Sequence, residues 1–446
     1  MRHPRRLLTG ALALGLAASP VAQPAAPSSS PTISFGEPLA VSAPDGRAMA
    51  PDIAVGADGS VHALWVDKAP PPVEIPAAGK PAGPDHSATD QLWYRRSVGP
   101  ATGGRIVALS DPVRVNSRDG DVWGFPVSKP ELDIDGRGNV HVLYPANDVQ
   151  AGSGKSILVA RYTRSTDGGR SFEPGRTLNS PAGNDLSAVM HGGFAAVHAF
   201  GTLVASGDDV QAFWIDTRNM TEKDTAGAAW RAVSRDGGRT FAADQVAYAT
   251  EVCPCCQLAA ATVGKSVLMA SRVTYAGGTR DSAVGEAARA DGPFAPRVRV
   301  GEGQWKIDGC PLKRTAIAAA DGNVYTVAYT GGHEPAGVYF SRSTDGGRTF
   351  GPPVLMHPGA AVSDAPTVAA GASGKVFVAW HGKTDGGRRV FLRASTDGGV
   401  TFSPVTELPA PAGTSAYPEL DSAPDGSAWL TWQQEQVAWI VRVAAE

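Results

Sequence analysis

Four cysteines are the residues whose type and spacing most directly indicate chemistry in this chain. They lie in two short segments, Cys253-Pro-Cys255-Cys256-Gln257 and Asp308-Gly-Cys310-Pro311. Cysteine sulfur forms disulfides or, as thiolate, binds soft metal ions such as Cu(I) and Zn(II). A chain of 446 residues buries enough apolar surface to fold without crosslinks, so the placement of the cysteines is more informative than their number.

Two interpretations of the cysteines remain open. Two disulfides are favoured, because Cys-x-Cys-Cys is not a standard zinc-finger spacing. Four cysteines permit three pairings, of which a bond between the adjacent Cys255 and Cys256 is disfavoured by the small, strained ring that it would close. The alternative interpretation is a thiolate site for copper or zinc.

The composition indicates which elements position these segments. The chain has 53 Gly and 35 Pro, which interrupt it throughout and leave room only for short strands between turns. Hydrophobic residues make up 42%, with ten Trp, which excludes a disordered chain. The 40 basic and 43 acidic residues nearly balance, which argues against a nucleic-acid binder and against a polybasic membrane binder. An all-β protein with many turns is predicted.

A repeated pattern predicts the architecture. In each copy a proline or small residue precedes a short apolar strand, a glycine turn and a second strand that ends in an aromatic residue. Five clear copies and two looser ones are found at 51–65, 130–144, 311–329, 366–380 and 418–432, and at 194–214 and 257–272. Third and fourth strands follow, so we predict seven four-stranded units, with six units and an insertion as the alternative.

Four of the third strands lead into the same turn, Ser-x-Asp-Gly-Gly-x-Ser/Thr-Phe. Its carboxylate can accept backbone N–H groups, and its glycines permit positive φ. The turn aspartates are Asp167, Asp236, Asp345 and Asp397. This turn resembles the Asp-box, or bacterial neuraminidase repeat, of sialidase-like β-propellers. The resemblance implies that these four aspartates are structural and lie away from the face that carries chemistry.

The two ends of the chain carry further predictions. The last repeat supplies only three strands, so we predict that residues 33–41 pair beside 437–443 as its fourth strand and close the ring. Residues 1–22 have the layout of a secretory signal, with Arg2, Arg5 and Arg6 before an apolar segment too short for a stable membrane anchor. A Pro/Ala/Ser-rich linker over 23–32 and a single domain over 33–446 would follow. We expect an exported monomer, periplasmic or secreted, without a transmembrane anchor.

In a propeller, the loops that lead into the first strands and those that join second to third strands converge at one mouth near the axis. Both cysteine segments immediately precede first strands of adjacent repeats, so we expect the cysteines at this mouth. The polar residues of the same loops are the candidate functional residues. Candidate catalytic residues are Asp67, Asp216, Arg218, Arg314 and Glu334, and candidate ligand-binding residues are His191, Lys306, Asp308, His333 and His381. Glu251 and Asp364 are further polar residues of the loops that lead into first strands.

The cysteine segments carry a closer resemblance. Cys-Pro-Cys-Cys followed by Trp305-Lys-Ile-Asp-Gly-Cys-Pro311 is similar to segments of a secreted subgroup of sialidase-like proteins, which implies no particular activity. A histidine commonly follows the last Cys-Pro in that subgroup. Leu312 occupies this position here, which argues against a metal site that uses such a histidine. Cys256 and Cys310 hold equivalent places in neighbouring repeats.

Sialidase-like hydrolysis would need three arginines that clamp a carboxylate, a tyrosine nucleophile activated by a glutamate, and an aspartate as acid/base. The Arg-Ile-Pro segment expected in the first repeat is absent, and only Arg218 and Arg314 are placed to face the mouth. We expect an exported sialidase-like propeller that binds a glycan or similar ligand at the mouth, with hydrolysis left open. The alternative is a non-enzymatic propeller that docks a protein partner or holds copper or zinc at the cysteines.

Overall fold

The computed structural model describes residues 30–68, 90–99, 105–149, 156–181, 197–218, 220, 226–301, 303–360 and 362–446. Their regular structure is antiparallel β-sheet, apart from two 3₁₀ turns at Ala276–Gly278 and Ala372–Gly374. None of the helical turns in these ranges is long or apolar enough to cross a lipid bilayer. The prediction of an all-β protein is confirmed.

Two short strands, β1 (Ile33–Phe35) and β2 (Leu39–Ala40), precede seven groups of strands, which are numbered here in chain order. Group 1 consists of β3 (Ala48–Val55), β4 (Val61–Asp67), β5 (Gln91–Arg96) and β6 (Val113–Arg114). Group 2 consists of β7 (Glu131–Ile134), β8 (Val140–Val149), β9 (Ser156–Ser165) and β10 (Arg176–Thr177). Group 3 consists of β11 (His198–Ser206), β12 (Asp209–Asp216), β13 (Gly227–Ser234) and β14 (Gln245–Val252). Group 4 consists of β15 (Ala259–Val263), β16 (Ser266–Tyr275), β17 (Thr279–Ala287) and β18 (Val298–Arg299). Group 5 consists of β19 (Thr315–Ala320), β20 (Asn323–Thr330), β21 (Gly337–Ser343) and β22 (Val354–Leu355). Group 6 consists of β23 (Ser363–Ala370), β24 (Val376–Thr384), β25 (Gly387–Ser395) and β26 (Thr406–Glu407). Group 7 consists of β27 (Ser415–Ser422), β28 (Ala428–Gln434) and β29 (Val437–Ala445).

Within each group, consecutive strands are antiparallel neighbours. Groups 3 and 4 join into one eight-stranded sheet, because Val252 of β14 pairs with Val273 of β16. The other groups are separate sheets, and β1 and β2 belong to the sheet of group 7.

The second strand of each group is an apolar run because both of its faces are covered. In β4, for example, every residue from Val61 to Val66 is buried, and only Asp67 at its end is partly exposed. The aromatic residues at the ends of the second strands, such as Trp214, Trp380 and Trp432, are fully buried.

The hydrophobic core is divided among the boundaries between groups. Among the described residues, each pair of successive groups encloses its own cluster of buried side chains. Groups 7 and 1 enclose one as well, in which Trp429 and Ile440 pack with Trp65 and Ile53. The first strands contact one another in the same order, each with the first strand of the next group and the last with the first: β3, β7, β11, β15, β19, β23, β27 and again β3. Every group therefore has a packed neighbour on both faces.

The N-terminal strands pair with the C-terminal strand. Ile33 lies opposite Ala445 in β1, and Leu39 lies opposite Ile440 in β2. The main chain of Thr32 also exchanges two hydrogen bonds with that of Glu446, at 2.8 and 3.1 Å. The predicted pairing of residues 33–41 with the C-terminal strand is present.

The repeated Asp-Gly-Gly turns share one set of hydrogen bonds. In the turn at Asp397, one carboxylate oxygen accepts the N–H groups of Val400 and Thr401, and the other accepts the Thr401 hydroxyl. The turns at Asp167, Asp236 and Asp345 have the same pattern. They join third to fourth strands, so in an antiparallel group they lie at the end opposite to the entry of the first strand.

Removal of residues 1–42 tests the contribution of the N-terminal strands. We expect a chain that begins at Ala43 to unfold at a markedly lower temperature than a chain that begins at Ser30, because the edge of β29 loses its partner strands. Thermal unfolding followed by circular dichroism measures the difference. Equal melting temperatures for the two chains would contradict a structural role for this pairing.

Candidate functional site

A central channel and a cavity at one of its ends form the candidate site. The first strands of all seven groups line the channel, whose volume is about 190 Å³. A cavity of about 230 Å³ lies at the end where the chain enters these strands, and we call it the mouth cavity. Lys129, Arg314 and Glu419 line both. The described Asp-Gly-Gly turns lie at the opposite end.

A recurrent backbone distortion directs polar side chains into the channel. Five residues just before or within the first strands have positive φ, between 45 and 54°: Ala50, Phe200, Leu312, Ala365 and Tyr417. The residue two positions further on lines the channel in each case: Asp52, Thr202, Arg314, Thr367 and Glu419. Four of the five, all except the one at Leu312, coincide with a shift in the pairing register between the first and second strands of a group. Such bulges re-aim side chains and are common beside functional sites.

Lys129 is the centre of the charged residues at the junction of channel and mouth. Its ammonium lies 2.8 Å from Asp52, 3.4 Å from Glu131 and 3.5 Å from Glu419. These carboxylates belong to β3, β7 and β27, and the Lys129 side chain is only 4% exposed. Burial alone would lower the pKa of Lys129, but the three carboxylates raise it, so the ammonium stays charged.

Arg314 is the second cation at this junction. Its guanidinium forms an ion pair with Glu419, lies 3.9 Å from Glu131, and donates to the Pro366 carbonyl at 3.2 Å. The nearby carboxylates raise the pKa of Arg314 despite its burial. Among the described residues that line the mouth cavity, Arg314 is the only arginine, so the three-arginine clamp of a sialidase is not formed by these residues.

Gln257 connects the junction to the cysteine segment. Its side-chain amide donates to Glu131 at 3.0 Å and to the Gly201 carbonyl at 2.9 Å. It also exchanges hydrogen bonds with the main chain of Lys129. Glu131 accepts a further hydrogen bond from Thr202 at 2.6 Å. Burial, partly offset by Lys129, raises the pKa of Glu131 to about 7, so this carboxyl exchanges a proton near neutral pH.

Two aspartates lie deeper in the channel. Asp133 accepts the N–H of Ala205 in the next group, and Asp421 accepts the N–H of Val55 in group 1. These hydrogen bonds join first strands of neighbouring groups across the channel wall. Burial raises the pKa of both aspartates to about 7, although the backbone N–H groups favour their ionised forms.

The wall of the mouth cavity includes an aromatic ring and a partly exposed ion pair. Tyr417 packs edge-on against His381, and its N–H donates to His381 Nδ1 at 3.1 Å. Burial lowers the pKa of His381 to about 4, so the imidazole is neutral and can accept this hydrogen bond. On another side of the cavity, Lys313 pairs with Asp364 and lies 5.0 Å from the ring centre of Tyr329.

The cysteines lie beside the mouth cavity. One disulfide, Cys255–Cys310, joins the segment that carries Gln257 to the segment that carries Arg314. The sequence had favoured two disulfides, so this prediction is correct for only one pair of cysteines. Cys253 and Cys256 are buried thiols 3.5 Å apart. The Cys256 hydrogen bond lowers the pKa of Cys253 to about 7, whereas burial raises the pKa of Cys256. The Lys313 N–H donates to Cys256 Sγ at 3.4 Å, so the cysteines contact the cavity wall directly.

The other residues predicted from the sequence occupy different surroundings. Arg218 is held by Asp216 and Asp244 and packs on Trp230, away from the residues that line the mouth cavity. Although burial alone would raise the pKa of Asp216, hydrogen bonds from His198 and Arg218 lower it well below its usual range. Asp67 accepts the Arg47 N–H at 2.7 Å.

The remaining candidates lie at the surface or outside the described residues. His333 packs on Tyr339, at 4.7 Å between ring centres. His191 lies outside the described residues. Exposed positions are taken by Lys306, Asp308 and Glu334. Of the sequence-based candidates, the structure brings Arg314, Asp364, His381 and the four cysteines together at or beside the mouth cavity.

Comparisons with known proteins support the fold alone. No protein-family model matches the sequence, and no curated protein is a significant relative. A PL25 polysaccharide lyase, an ulvan lyase bound to a GlcA(1-4)Rha3S oligosaccharide, is 15% identical with a TM-score of 0.52 and covers 91% of this chain and 93% of its own. The α-L-arabinanase of Penicillium chrysogenum is 12% identical, with a TM-score of 0.49 and coverage of 92% and 98%. The Trypanosoma rangeli sialidase is 12% identical, with a TM-score of 0.45 and coverage of 73% and 55%. The likeness to the lyase supports a sialidase-like propeller fold.

The raised pKa values of the channel aspartates predict a pH-dependent stability. A carboxyl whose pKa is about 7 when folded and about 4 when unfolded binds its proton more tightly in the folded state. Its contribution to stability is full below about pH 4 and is lost as the pH rises through about 7. The neutral amide of Asp421→Asn avoids this loss. We expect the melting temperature of this variant, relative to the parent, to rise between about pH 5 and about pH 8.

Asp425→Asn provides the matched control for this measurement. Hydrogen bonds from Ser427 lower the pKa of Asp425 to about 2 even though burial opposes them, so its protonation does not change over this pH range. The melting temperature of the control relative to the parent should therefore be constant. A constant difference for Asp421→Asn as well would refute the raised pKa of the channel aspartates.

Proposed function

We propose that the seven groups are the blades of a closed propeller, with β1 and β2 as the fourth strand of group 7. The cyclic contacts of the first strands and the core between groups 7 and 1 support this architecture. We further propose that the turns at Asp167, Asp236, Asp345 and Asp397 are Asp-boxes with a purely structural role. Their carboxylates are occupied by hydrogen bonds within each turn.

We propose that the protein binds a glycan in the mouth cavity. The observation that carries this proposal is the cavity itself, which combines an aromatic wall, an accessible ion pair and a floor of fixed charges. Sugars present apolar C–H faces that stack on aromatic rings and hydroxyl groups that need several donors and acceptors. Tyr417 supplies the ring, and Lys313 and Asp364 supply a donor and an acceptor.

The floor of the cavity is organised for binding before a ligand arrives. The charges of Lys129 and Arg314 are already neutralised by carboxylates, so neither cation needs a ligand to offset its burial. Their contacts fix the geometry of the floor, which reduces the entropy cost of binding. One structural neighbour, the ulvan lyase, is bound to a GlcA(1-4)Rha3S oligosaccharide. This agrees with a glycan ligand and identifies none.

Hydrolysis of the bound glycan is the second function that we consider, and Glu131 is the observation that favours it. A general acid works best with a pKa near the working pH, and the pKa of Glu131 is about 7. Glu419, an ion-paired carboxylate of the same junction, would be its partner. Glycoside hydrolysis uses a pair of carboxyl groups, one of which acts as the general acid.

An oligosaccharide array that includes sialylated, arabinan and uronate-containing glycans tests the binding proposal. We expect the full chain to bind at least one class, and Tyr417→Ala to weaken that binding about tenfold to a hundredfold through loss of the stacking surface. The control is Tyr248→Ala, because Tyr248 is also partly buried but lies outside the cavity. Absence of binding to every glycan would refute the proposal and favour a protein partner.

The same glycans distinguish binding from hydrolysis. If the protein is a hydrolase, Glu131→Gln should abolish product formation while it preserves binding, because the amide keeps the size of the side chain but cannot transfer the proton. Mass spectrometry of the incubated oligosaccharides measures the product. Intact oligosaccharides after incubation with the parent chain would leave binding as the function.

We also propose that residues 1–22 are a secretory signal, that 23–32 are a linker, and that the domain over 33–446 acts outside the cytoplasm. The arginines and the short apolar segment of the N-terminus support this proposal. Expression of the full chain in a bacterial host, followed by N-terminal sequencing of the exported protein, should give a terminus near residue 23. An uncleaved chain that stays in the cytoplasm would refute it.

A further inference from the structure

We propose that the four cysteines, once the Cys255–Cys310 disulfide is reduced, form a tetrahedral thiolate site for one Zn²⁺ ion. The Sγ atoms of Cys253, Cys255 and Cys256 form a triangle with sides of 3.8, 4.0 and 3.5 Å. In a four-thiolate zinc site with Zn–S bonds of about 2.3 Å, tetrahedral geometry places the sulfur atoms about 3.8 Å apart. The three sulfurs thus already have the spacing of one face of such a site.

Cys310 supplies the fourth ligand and the route of entry. Its sulfur lies within 4.8 Å of those of Cys253 and Cys255. Cys253, Cys255 and Cys256 are all buried, whereas Cys310 is exposed. A dithiol can therefore reach the disulfide from the side of Cys310, and a metal ion can enter from the same side.

Within the Cys-Pro-Cys-Cys segment, Cys253 and Cys256 are separated by two residues. This Cys-x-x-Cys spacing, which lets two thiolates bind one ion, is present inside a segment whose overall pattern is not a standard zinc-finger one. The two sulfurs lie 3.5 Å apart, so the chain already holds them on the same side. The Lys313 N–H donates to Cys256 Sγ, as backbone amides do for thiolate ligands.

Two arginines, the buried Arg272 and the partly buried Arg280, provide positive charge that acts on Cys253. Arg272 is 1% exposed; among the described residues it donates to the carbonyls of Lys313, Arg280 and Tyr329, and it packs on the ring of Trp305. The Nε and Nη1 atoms of Arg280 are buried without a hydrogen-bond partner. Neither arginine forms an ion pair with a carboxylate among the described residues. Zinc bound by four thiolates carries a net charge of −2, which two uncompensated guanidinium groups would balance.

The zinc site forms in two steps, reduction of the disulfide and exchange of the thiol protons for the metal ion. A dithiol transfers two electrons and two protons to the Cys255–Cys310 disulfide and is itself oxidised to a disulfide, which leaves four thiols. Zn²⁺ then displaces four protons, one from each thiol, and four Zn–S bonds form. The disulfide and the metal-bound cluster are therefore alternative crosslinks between the same two segments of the mouth cavity.

Metal titration of the full chain tests the proposal. The protein is reduced under anaerobic conditions and titrated with Co²⁺, whose ligand-field and thiolate charge-transfer bands report tetrahedral sulfur coordination, and Zn²⁺ is then added to displace it. We expect saturation at one equivalent in the reduced protein and no binding in the oxidised protein. Cys310→Ser and Cys253→Ser should each weaken Zn²⁺ binding at least tenfold, whereas Lys265→Ala, at an exposed position outside both cysteine segments, should leave it unchanged.

Three results would overturn the site: no retained Zn²⁺ in the reduced protein, equal binding by the oxidised protein, or unchanged affinity and Co²⁺ spectrum in Cys310→Ser. X-ray absorption of the zinc-loaded parent chain identifies the ligands of the metal directly and does not depend on a variant that folds. Four sulfur neighbours at about 2.3 Å are expected, and nitrogen or oxygen neighbours contradict the site.

Discussion

The contact between one ammonium and three carboxylates organises the centre of the molecule. Asp52, Glu131 and Glu419 come from three different groups, and without Lys129 they would repel one another in a poorly solvated channel. Removal of one member of such a buried set costs about 3–5 kcal/mol, because the remaining charges lose their partner. First strands far apart in sequence are therefore held at fixed distances. The floor of the mouth cavity depends on that constraint, since Arg314 and Gln257 both contact Glu131.

The sequence predicted the sheets well because their signals are local. Apolar runs that end in a tryptophan, such as Val61–Trp65, and turns that contain Asp-Gly-Gly are visible in a few residues, and each is a strand or turn in the structure. The pairing of residues 33–41 with the C-terminal strand was predicted by counting strands, although the partners are the most distant in the chain. The number of blades and the closure of the ring stay predictions.

The candidate site was predicted only in part. Arg314, Asp364, His381 and the cysteines were named because they lie in loops, whereas Lys129 and the carboxylates around it were missed. A signal for the carboxylates exists: Asp52, Glu131 and Glu419 each follow a proline at the same position of the repeat, where the other residues of the strand are mainly apolar. Arg218, by contrast, was named for its loop and proves to be held by Asp216 and Asp244. Side-chain partners distant in sequence could not be read from spacing.

The pairing of β1 with β29 has a consequence for biosynthesis. Ile33 meets Ala445 only after nearly the whole chain has been made, so the N-terminal segment waits without its partner while the other sheets form. An unpaired strand can join the edge of another molecule and aggregate. This segment is a poor template for such joining, because β1 has three residues, β2 has two, and Gly36 and Pro38 separate them. The irregular shape that weakens it as a strand thus also protects the nascent chain until its own edge becomes available.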